Sequence, residues 1–500
     1  MGNLVPGASQ KLKDNILQGG RNLSGRRSLQ VLGDLAGARG LKVYLVGGTV
    51  RELALGRRSP DVDLAVSAHT LDLARDLAAA LGGTFVLLDE AERTARVVWR
   101  EEILDLAEFR ASTLEEDLRA RDFTINALAL DLEAVLGQQP LALIDPWGGL
   151  KDLDQGLIRV VRPRNFQEDP LRLLRAYRFA ATHGFRLTPE TAAAIPAYLP
   201  EFARVAGERV RQELFILLAA PRAAAILEEM EQTGLLTRIF PECLDMQGVE
   251  QDGFHHLDVF RHSLLATSYV EEVLAAPPKY FGELAAEVAP YLRAPSQAVL
   301  LKLAALFHDA GKPQVQGRRT DPDRYTFYYH ERVGVEIFTR AAWRLRFSQA
   351  ETKTVTRLIS LHMRPFLLLP AFREGELTPR ALGRLVRAAR PDLPGLFILA
   401  MADSLAGQGP QKPGDAEMVL ADLADAAYRF LKERIEPQER QPRLLTGHDL
   451  IQILGLKPGP RFREILTAVE EAQWEGAIHS RQEALELARN LGRGEERGNP

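Results

Sequence analysis

From about Pro170 almost to its end, this chain of 500 residues spaces its apolar residues at helical period only, while strand signals are confined to the part before it. That change of period restricts the fold to a small sheet built early and helical layers added after it. Ahead of the change, "KVYLVGG" reads as a short apolar strand, "TVRELALG" as a helix stopped by Gly56, and "DVDLAVS" as a second strand. "TLDLARDLAAALGG" reads as a helix ending at glycines, and "ARVVWR" with "EEILDLAEFR" as a hairpin. The expected class is therefore α+β: a small mixed sheet with helices on one side, then helical domains. The expected divisions are a loose polar, glycine-rich tail over 1–28, a head over 29–160, a helical neck over 161–250, a histidine-bearing domain over 251–405 and a helical body over 406–500.

Residue types narrow the function classes. Hydrophobic residues make up 46% and charged residues 26%, the balance of a globular protein. No apolar run has the length of a membrane span and the first residues lack a secretory signal, so a cytoplasmic protein with no membrane partner is expected. The single cysteine, Cys243, excludes an intramolecular disulfide and a cysteine-rich zinc site and is expected in the core. A formal charge of −4 means that a nucleic-acid partner must be met by local basic surface. Between Leu157 and Arg178, Arg159, Arg162, Arg164, Arg172, Arg175 and Arg178 face only Glu168 and Asp169, which is either a solvated charged face or such a surface.

The chemistry concentrates in "LVGGTVRELALGRRSPDVDLAVS", Leu45 to Ser67. Alternate residues of a strand share a face, so Asp61 and Asp63 project side by side while Val62 and Leu64 point to the core. A pair of Mg²⁺ ions suits two such carboxylates together with substrate phosphates; a turn Asp and a cap Asp would use the same letters. Gly47 and Gly48 fall at a strand-to-helix junction, where free backbone N–H groups make an anion site, and Arg51 follows one turn into the helix. In the hairpin, Asp105 shares a face with Ile103 and Ala107; it is either a third carboxylate or a solubilising edge charge.

Together with "RARDFTINALAL", "IDPWGGLKDL" and "EDPLRLLRAYRFAATHGF", this stretch resembles the ordered motifs of the class II tRNA nucleotidyltransferases and bacterial poly(A) polymerases. "GERVRQELFILL", "GLLTRIFPE" and the tail "LTGHDLIQILGLKPGPRFREILTAVEEAQWEGAI" extend the resemblance over nearly the whole chain, with one departure: Glu52 stands where the family usually has Asp. The resemblance implies an enzyme in which Gly47, Gly48 and Arg51 hold the triphosphate, and Asp61 and Asp63, with Asp105, form the Mg²⁺ site. It further implies that Arg121 and Asn126 contact the incoming nucleotide, with Asp122 structural. Asp169 and Arg172 would template the base, with Arg175 and Arg178 on the same face of one helix. A carboxylate accepting from an exocyclic amine and a guanidinium donating to the ring suit cytosine and adenine and leave uracil or guanine facing unpaired groups. The implied partners are tRNA and CTP, with ATP left open as a second nucleotide.

"FRHSLLAT", "LFHDAGKP" and "MADSLAG" supply His262, His308, Asp309 and Asp403 in the order of an HD phosphohydrolase metal site, with His330 and His362 between them. This region resembles the HD domain fused to some bacterial members of the family and implies a further divalent metal there, or a structural remnant of such a site. Rival readings are an HD phosphohydrolase with a vestigial head, a non-catalytic RNA-binding protein and a poly(A) polymerase. Finally, only Ala111, Ser112 and Thr113 separate "DLAEFR" from "LEEDLRARDFT". Family members that add the whole CCA are longer here, and a base template that must reorient between cytosine and adenine needs slack chain. The short link therefore implies addition of CC, with a separate A-adding enzyme as a partner in the pathway.

Overall fold

A computed structural model describes residues 8–57, 61–320 and 323–493. The chain folds as two compact units, one made of residues up to 220 with 229–239, the other of 221–228 with 240 onward.

The first unit opens with a correction. Residues read as a loose tail form helix α1 (Ala8–Ser24), followed by α2 (Arg27–Ala38). The glycines that suggested a loop serve close packing. A Cβ on Gly19 would stand 2.5 Å from Leu53 Cδ2 and one on Gly20 2.7 Å from Leu141 Cδ2, while Ile16 and Leu23 of the same helix are buried. The "SP" of the expected turn before Asp61 lies outside the described residues.

Then come β1 (Val43–Val46), α3 (Gly47–Ala54), β2 (Asp61–Val66), α4 (Thr70–Leu81), β3 (Thr84–Asp89), β4 (Thr94–Trp99), β5 (Glu102–Glu108), α5 (Leu114–Arg119), β6 (Ala129–Asp131), α6 (Leu132–Val135), β7 (Leu143–Ile144) and α7 (Gly149–Gln155). The sheet has seven strands in the order β3-β4-β5-β2-β1-β6-β7, with β2 and β5 parallel and the other pairs antiparallel. Strands β3, β6 and β7 go beyond the sequence reading. The first of them lies at the sheet edge with Val86, Leu87 and Leu88 exposed, so no alternation of apolar and polar residues marked it.

The unit continues through β8 (Leu157–Ile158), α8 (Asn165–Glu168), α9 (Leu171–His183), β9 (Arg186–Leu187), α10 (Pro189–Tyr198) and α11 (Gly207–Ala219). The β9 strand of the parallel pair with β8 lies beyond Pro170, where no strand was expected, and is a second departure. Helix α9 buries Leu173, Leu174, Tyr177 and Phe179, and the Phe179 ring meets Phe123 edge-on at 5.7 Å. Beneath that contact lies the fully enclosed Asp122. Its Oδ2 accepts from Arg175 Nε at 3.0 Å and Nη2 at 2.7 Å, and its Oδ1 from Asn126 Nδ2 at 2.9 Å and the Phe123 amide at 2.8 Å.

In the second unit the helices Val259–Ala275, Gln297–Phe307 and Leu393–Ala406 pack on one another and are buried along most of their lengths. Phe240, Phe307 and Phe338 stack edge-on at 5.1 and 5.3 Å. A hairpin of β10 (Gly317–Thr320) and β11 (Asp323–Thr326) is a third departure from the all-helical expectation. Cys243 is free and buried, as expected, and burial pushes its thiol up. A separate C-terminal cluster joins Leu450, Ile465, Val469, Ala484 and Ala488. Among the described residues no helix is long and apolar enough to cross a membrane.

Although burial opposes ionisation, Arg175 and Asn126 hold the Asp122 carboxyl well below the usual carboxylate range. A depressed folded pKa contributes stability that is present above the unfolded value, about 3.9, and is lost as pH falls below it. Asp122→Ala, which leaves Arg175 only Glu213 and takes the acceptor from Asn126 and the Phe123 amide, should cost about 3–5 kcal/mol in denaturant unfolding at neutral pH. Asp122→Asn should flatten the loss of stability seen below about pH 4; an unaltered acid limb would count against this role.

Candidate functional site

Pairing of parallel strands sets the head's carboxylates. Asp61 stands opposite Ile103 and Asp63 opposite Asp105, with Arg96 of β4 next in the row. Val62, Leu64, Leu104 and Leu106 face the core, so Asp61, Asp63 and Asp105 share the other face. Strand β1 delivers the chain to Gly47, whose φ of 59° is a left-handed conformation. A Cβ there would stand 3.0 Å from Arg121 Nη1 and 3.4 Å from Asp63 Oδ2, and one on Gly48 would stand 2.8 Å from the same oxygen. The glycine pair is thus a floor under the Asp63 carboxylate. Thr49 closes it from both sides: its amide donates to Asp63 Oδ2 at 3.3 Å and its hydroxyl accepts from the Asp63 amide at 2.7 Å. Burial pushes the Asp63 carboxyl up, with Asp105 adding to the shift, against the pull of Arg121 and the amides of Thr49 and Gly48. Oxygen donors alone, converging on one open strand face, fit Mg²⁺.

Gly47, Gly48, Asp63 and Arg121 are therefore brought together, with Asp61 and Asp105 beside them. Asp105 is gripped by Arg96 through Nε–Oδ1 at 2.7 Å and Nη2–Oδ2 at 2.8 Å, so it is neither a bare edge charge nor a free ligand. Arg121 is aimed by Asp117, its neighbour four residues back, at 3.2 Å. Arg51 stands beside Gly48, its Nη2 3.7 Å from where a Cβ on that glycine would lie. It donates to Asn126 Oδ1, binds Glu52 Oε1 at 2.9 Å and lies 5.0 Å over the Phe179 ring. Glu52, the family departure, is taken up fully: despite burial, His183 and Arg51 hold its carboxyl down at about 2.

The helix expected to carry Asp169, Arg172, Arg175 and Arg178 on one face begins only at Leu171. Asp169 precedes it in extended conformation, before Pro170, which cannot continue a helical hydrogen-bond ladder. Its Oδ2 accepts from Arg209 at 3.0 Å and not from Arg172, while Arg172 donates to the Asn165 carbonyl at 3.1 Å. Arg175 and Arg178 are both committed to carboxylates, sharing Glu213 at 3.2 and 2.7 Å. Buried Asn165 links the two groups, its Nδ2 donating to the carbonyls of Arg119 at 3.0 Å and Arg121 at 2.6 Å. Glu213, His183 and Asn165 carried no signal in the sequence, whereas Asp117 was open to an i,i+4 reading with Arg121.

The histidine region of the second unit gathers every expected ligand. His262 Nε2 lies 3.0 Å from Asp403 Oδ1 and 3.8 Å from Asp309 Oδ2, and His308 Nε2 lies 3.2 Å from Asp309 Oδ2 and 3.5 Å from Asp403 Oδ1. His308 donates from Nδ1 to the Ala305 carbonyl at 2.8 Å, which turns Nε2 into the pocket, buried and with no hydrogen-bond partner. An enclosed imidazole nitrogen of this kind, with two carboxylates and a second imidazole around it, fits a divalent ion. Burial pushes His262 down to about 4, whereas for His308 the carboxylates of Asp309 and Asp403 outweigh burial and raise it. The pocket takes in more than the expected four. His330 and His362 reach Asp309 as well, and Lys312, three residues after Asp309, binds it at 2.6 Å. That last residue was legible as the Lys of "HDAGK".

A model described as "Poly A polymerase head domain" matches residues 43–159, "Probable RNA and SrmB- binding site of polymerase A" matches 184–246, and "HD domain" matches 274–408. A tRNA nucleotidyltransferase domain 2 model matches 422–488. An A-adding tRNA nucleotidyltransferase of Deinococcus radiodurans is 36% identical over 88% of this chain and 93% of its own length. A CC-adding tRNA nucleotidyltransferase of Thermus thermophilus is 36% identical over 88% of this chain and 92% of its own. Among solved structures, a Thermotoga maritima CCA-adding enzyme complexed with tRNA shares the fold at a TM-score of 0.59 and 22% identity, over 92% of this chain and 93% of that one. With its head carboxylates on one strand face, its HD pocket and relatives matched over nearly their whole length, the chain belongs to the tRNA nucleotidyltransferases.

Proposed function

We propose that this enzyme adds CMP to the tRNA 3′ end and stops after CC. The terminal hydroxyl oxygen bonds to the α-phosphorus of CTP, the bond to the β-phosphate oxygen breaks, and pyrophosphate leaves. When bound by Asp61 and Asp63, Mg²⁺ supplies a Lewis acid for the attacking oxygen and charge neutralisation for the triphosphate. The α3 N-terminus at Gly47 and Gly48 offers amides to the phosphates, Arg121 offers a guanidinium beside them, and Asp169 with Arg172 selects the base.

One observation carries the restriction to a single kind of base: the link between β5 and α5 is both short and tied down. Thr113 caps α5 by accepting from the Glu116 amide at 3.3 Å, Ser112 Oγ donates to Glu116 at 2.9 Å, and the Arg110 amide donates to Asp117 at 3.2 Å. Such a link has no slack with which to swing Arg172 or Asp169 between bases of different size. A single-base enzyme specialised for A has support of its own, since the Deinococcus relative so named is as similar as the CC-adding Thermus one.

Two measurements test this reading. Asp61→Ala or Asp63→Ala should lower nucleotide addition by at least about 1000-fold while tRNA binding and the melting temperature change little. Addition at an undiminished rate would remove both residues from the site. Supplied with one labelled nucleotide at a time, the protein should extend a tRNA lacking CCA with CTP alone and extend a tRNA ending in CC poorly with ATP. The reverse pattern would establish A addition, and efficient extension of both would overturn single-base specialisation. A longer loop grafted between Arg110 and Leu114 should bring in some of the missing base.

A further inference from the structure

Glu52 does more than neutralise Arg51: it ties the head to the last residue of helix α9. His183 closes that helix, 131 positions further along the chain, and its Nε2 stands 3.3 Å from Glu52 Oε1. Three contacts fix the imidazole. Its ring packs on those of Phe179 and Phe185, with centroids 5.7 and 5.4 Å away, and its Nδ1 stands 2.8 Å from Thr182 Oγ1, which donates to the Arg178 carbonyl at 2.9 Å. A ring held in this way determines where the Glu52 carboxylate comes to rest. With side-chain exposures of 7% for His183 and 18% for Glu52, the contact is sheltered from the screening that weakens surface pairs.

The oxygen that meets His183 is also the one that meets Arg51. Glu52 Oε1 accepts from Arg51 Nε at 2.9 Å and lies 2.9 Å from Nη2, while Oε2 is left to the exposed Arg57 at 3.7 Å. On its other edge the guanidinium donates from Nη1 to Asn126, which Asp122 holds. A planar group fastened along two edges has its third direction set. One N–H of Nη2 joins Nε on Glu52, and the second points away from that carboxylate, on the nitrogen that stands beside Gly48. An aspartate at 52, one methylene shorter, would leave the gap to His183 open.

We propose that His183 and Glu52 are positioning residues for nucleotide binding. Together they aim the Arg51 guanidinium at the phosphates from the C-terminal end of α9, the helix whose first turn carries Arg172. The grip on the triphosphate then depends on where the base-selecting helix lies. This rests on the head being the nucleotide-adding site, and not on which nucleotide it adds.

The test is a double-mutant cycle in the full chain, run with whichever of CTP and ATP the parent adds. His183→Leu keeps the volume and loses the donor. It should raise KM for the triphosphate roughly tenfold and change kcat by less than about twofold, because a hold on phosphates is lost from ground and transition states alike. Binding of the corresponding monophosphate, which lacks the outer phosphates, should not change. His183→Gln, which keeps an N–H near the place of Nε2, should restore most of the affinity. Glu52→Asp should reproduce the effect of His183→Leu, and combining the two should cost nothing more. Melting curves identify the folded variants, and Glu52→Asp reads the same contact from the other side should His183→Leu unfold. Additive effects, a monophosphate affinity that falls with that of the triphosphate, no rescue by Gln, or an unmoved KM in a folded variant overturns the proposal. A parent that adds neither nucleotide refutes the reading of the head, and the positioning role with it.

Discussion

The head is anchored to the helix beside it by one buried carboxylate. Asp122 is buried, so its charge is met by the protein, through Arg175, Asn126 and a backbone amide. Each partner is then spoken for in turn: Asn126 receives Arg51, Arg175 shares Glu213 with Arg178, and Arg51 is closed off by Glu52 and His183. One enclosed negative charge thus orders arginines from two parts of the chain, α3 and α9. Their competing needs fix the angle at which α9 lies against the segment bearing Arg121.

Seen from this network, the basic stretch between Leu157 and Arg178 is neither a plain solvated face nor a plain polyanion surface. Arg175 and Arg178 are consumed internally, and Arg172 is only partly so, through a backbone carbonyl. Arg172 gives a donor to a carbonyl and stands 4.0 Å from Glu168, and so lacks the close carboxylate pairing of its helical neighbours. Asp169, outside the helix and held by exposed Arg209, is tethered separately from Arg172.

Sequence alone reached the elements whose burial is one-sided. The alternation in "DVDLAVS" and the i,i+3 and i,i+4 spacing in "TLDLARDLAAAL" exist because one face of each packs against the core, and both elements stand where they were expected. It did not reach β3, which buries neither face, nor α1, where glycines mean close approach and not looseness. The site divides in the same way. Asp61, Asp63, Gly47 and Gly48 are close in sequence and were legible as a unit, as was the His-Asp doublet. Glu213 on Arg178 and His183 on Glu52 join residues 35 and 131 positions apart. No local period records such pairs; only the tertiary fold does.

The histidines of the HD pocket also bear on how that pocket comes to exist. His308 directly follows the helix Gln297–Phe307 and His362 directly follows Gln349–Leu361, and the carbonyls their Nδ1 atoms satisfy, Ala305 and Ile359, belong to the last turns of those helices. Last-turn carbonyls have no amide of their own helix to accept from, so each imidazole serves as a C-cap with one nitrogen and turns the other into the pocket. Helix termination and ligand orientation are the same event. The donors are therefore set in place when the helices fold, and the inward-facing nitrogens owe their orientation to helix termination and not to anything held between them.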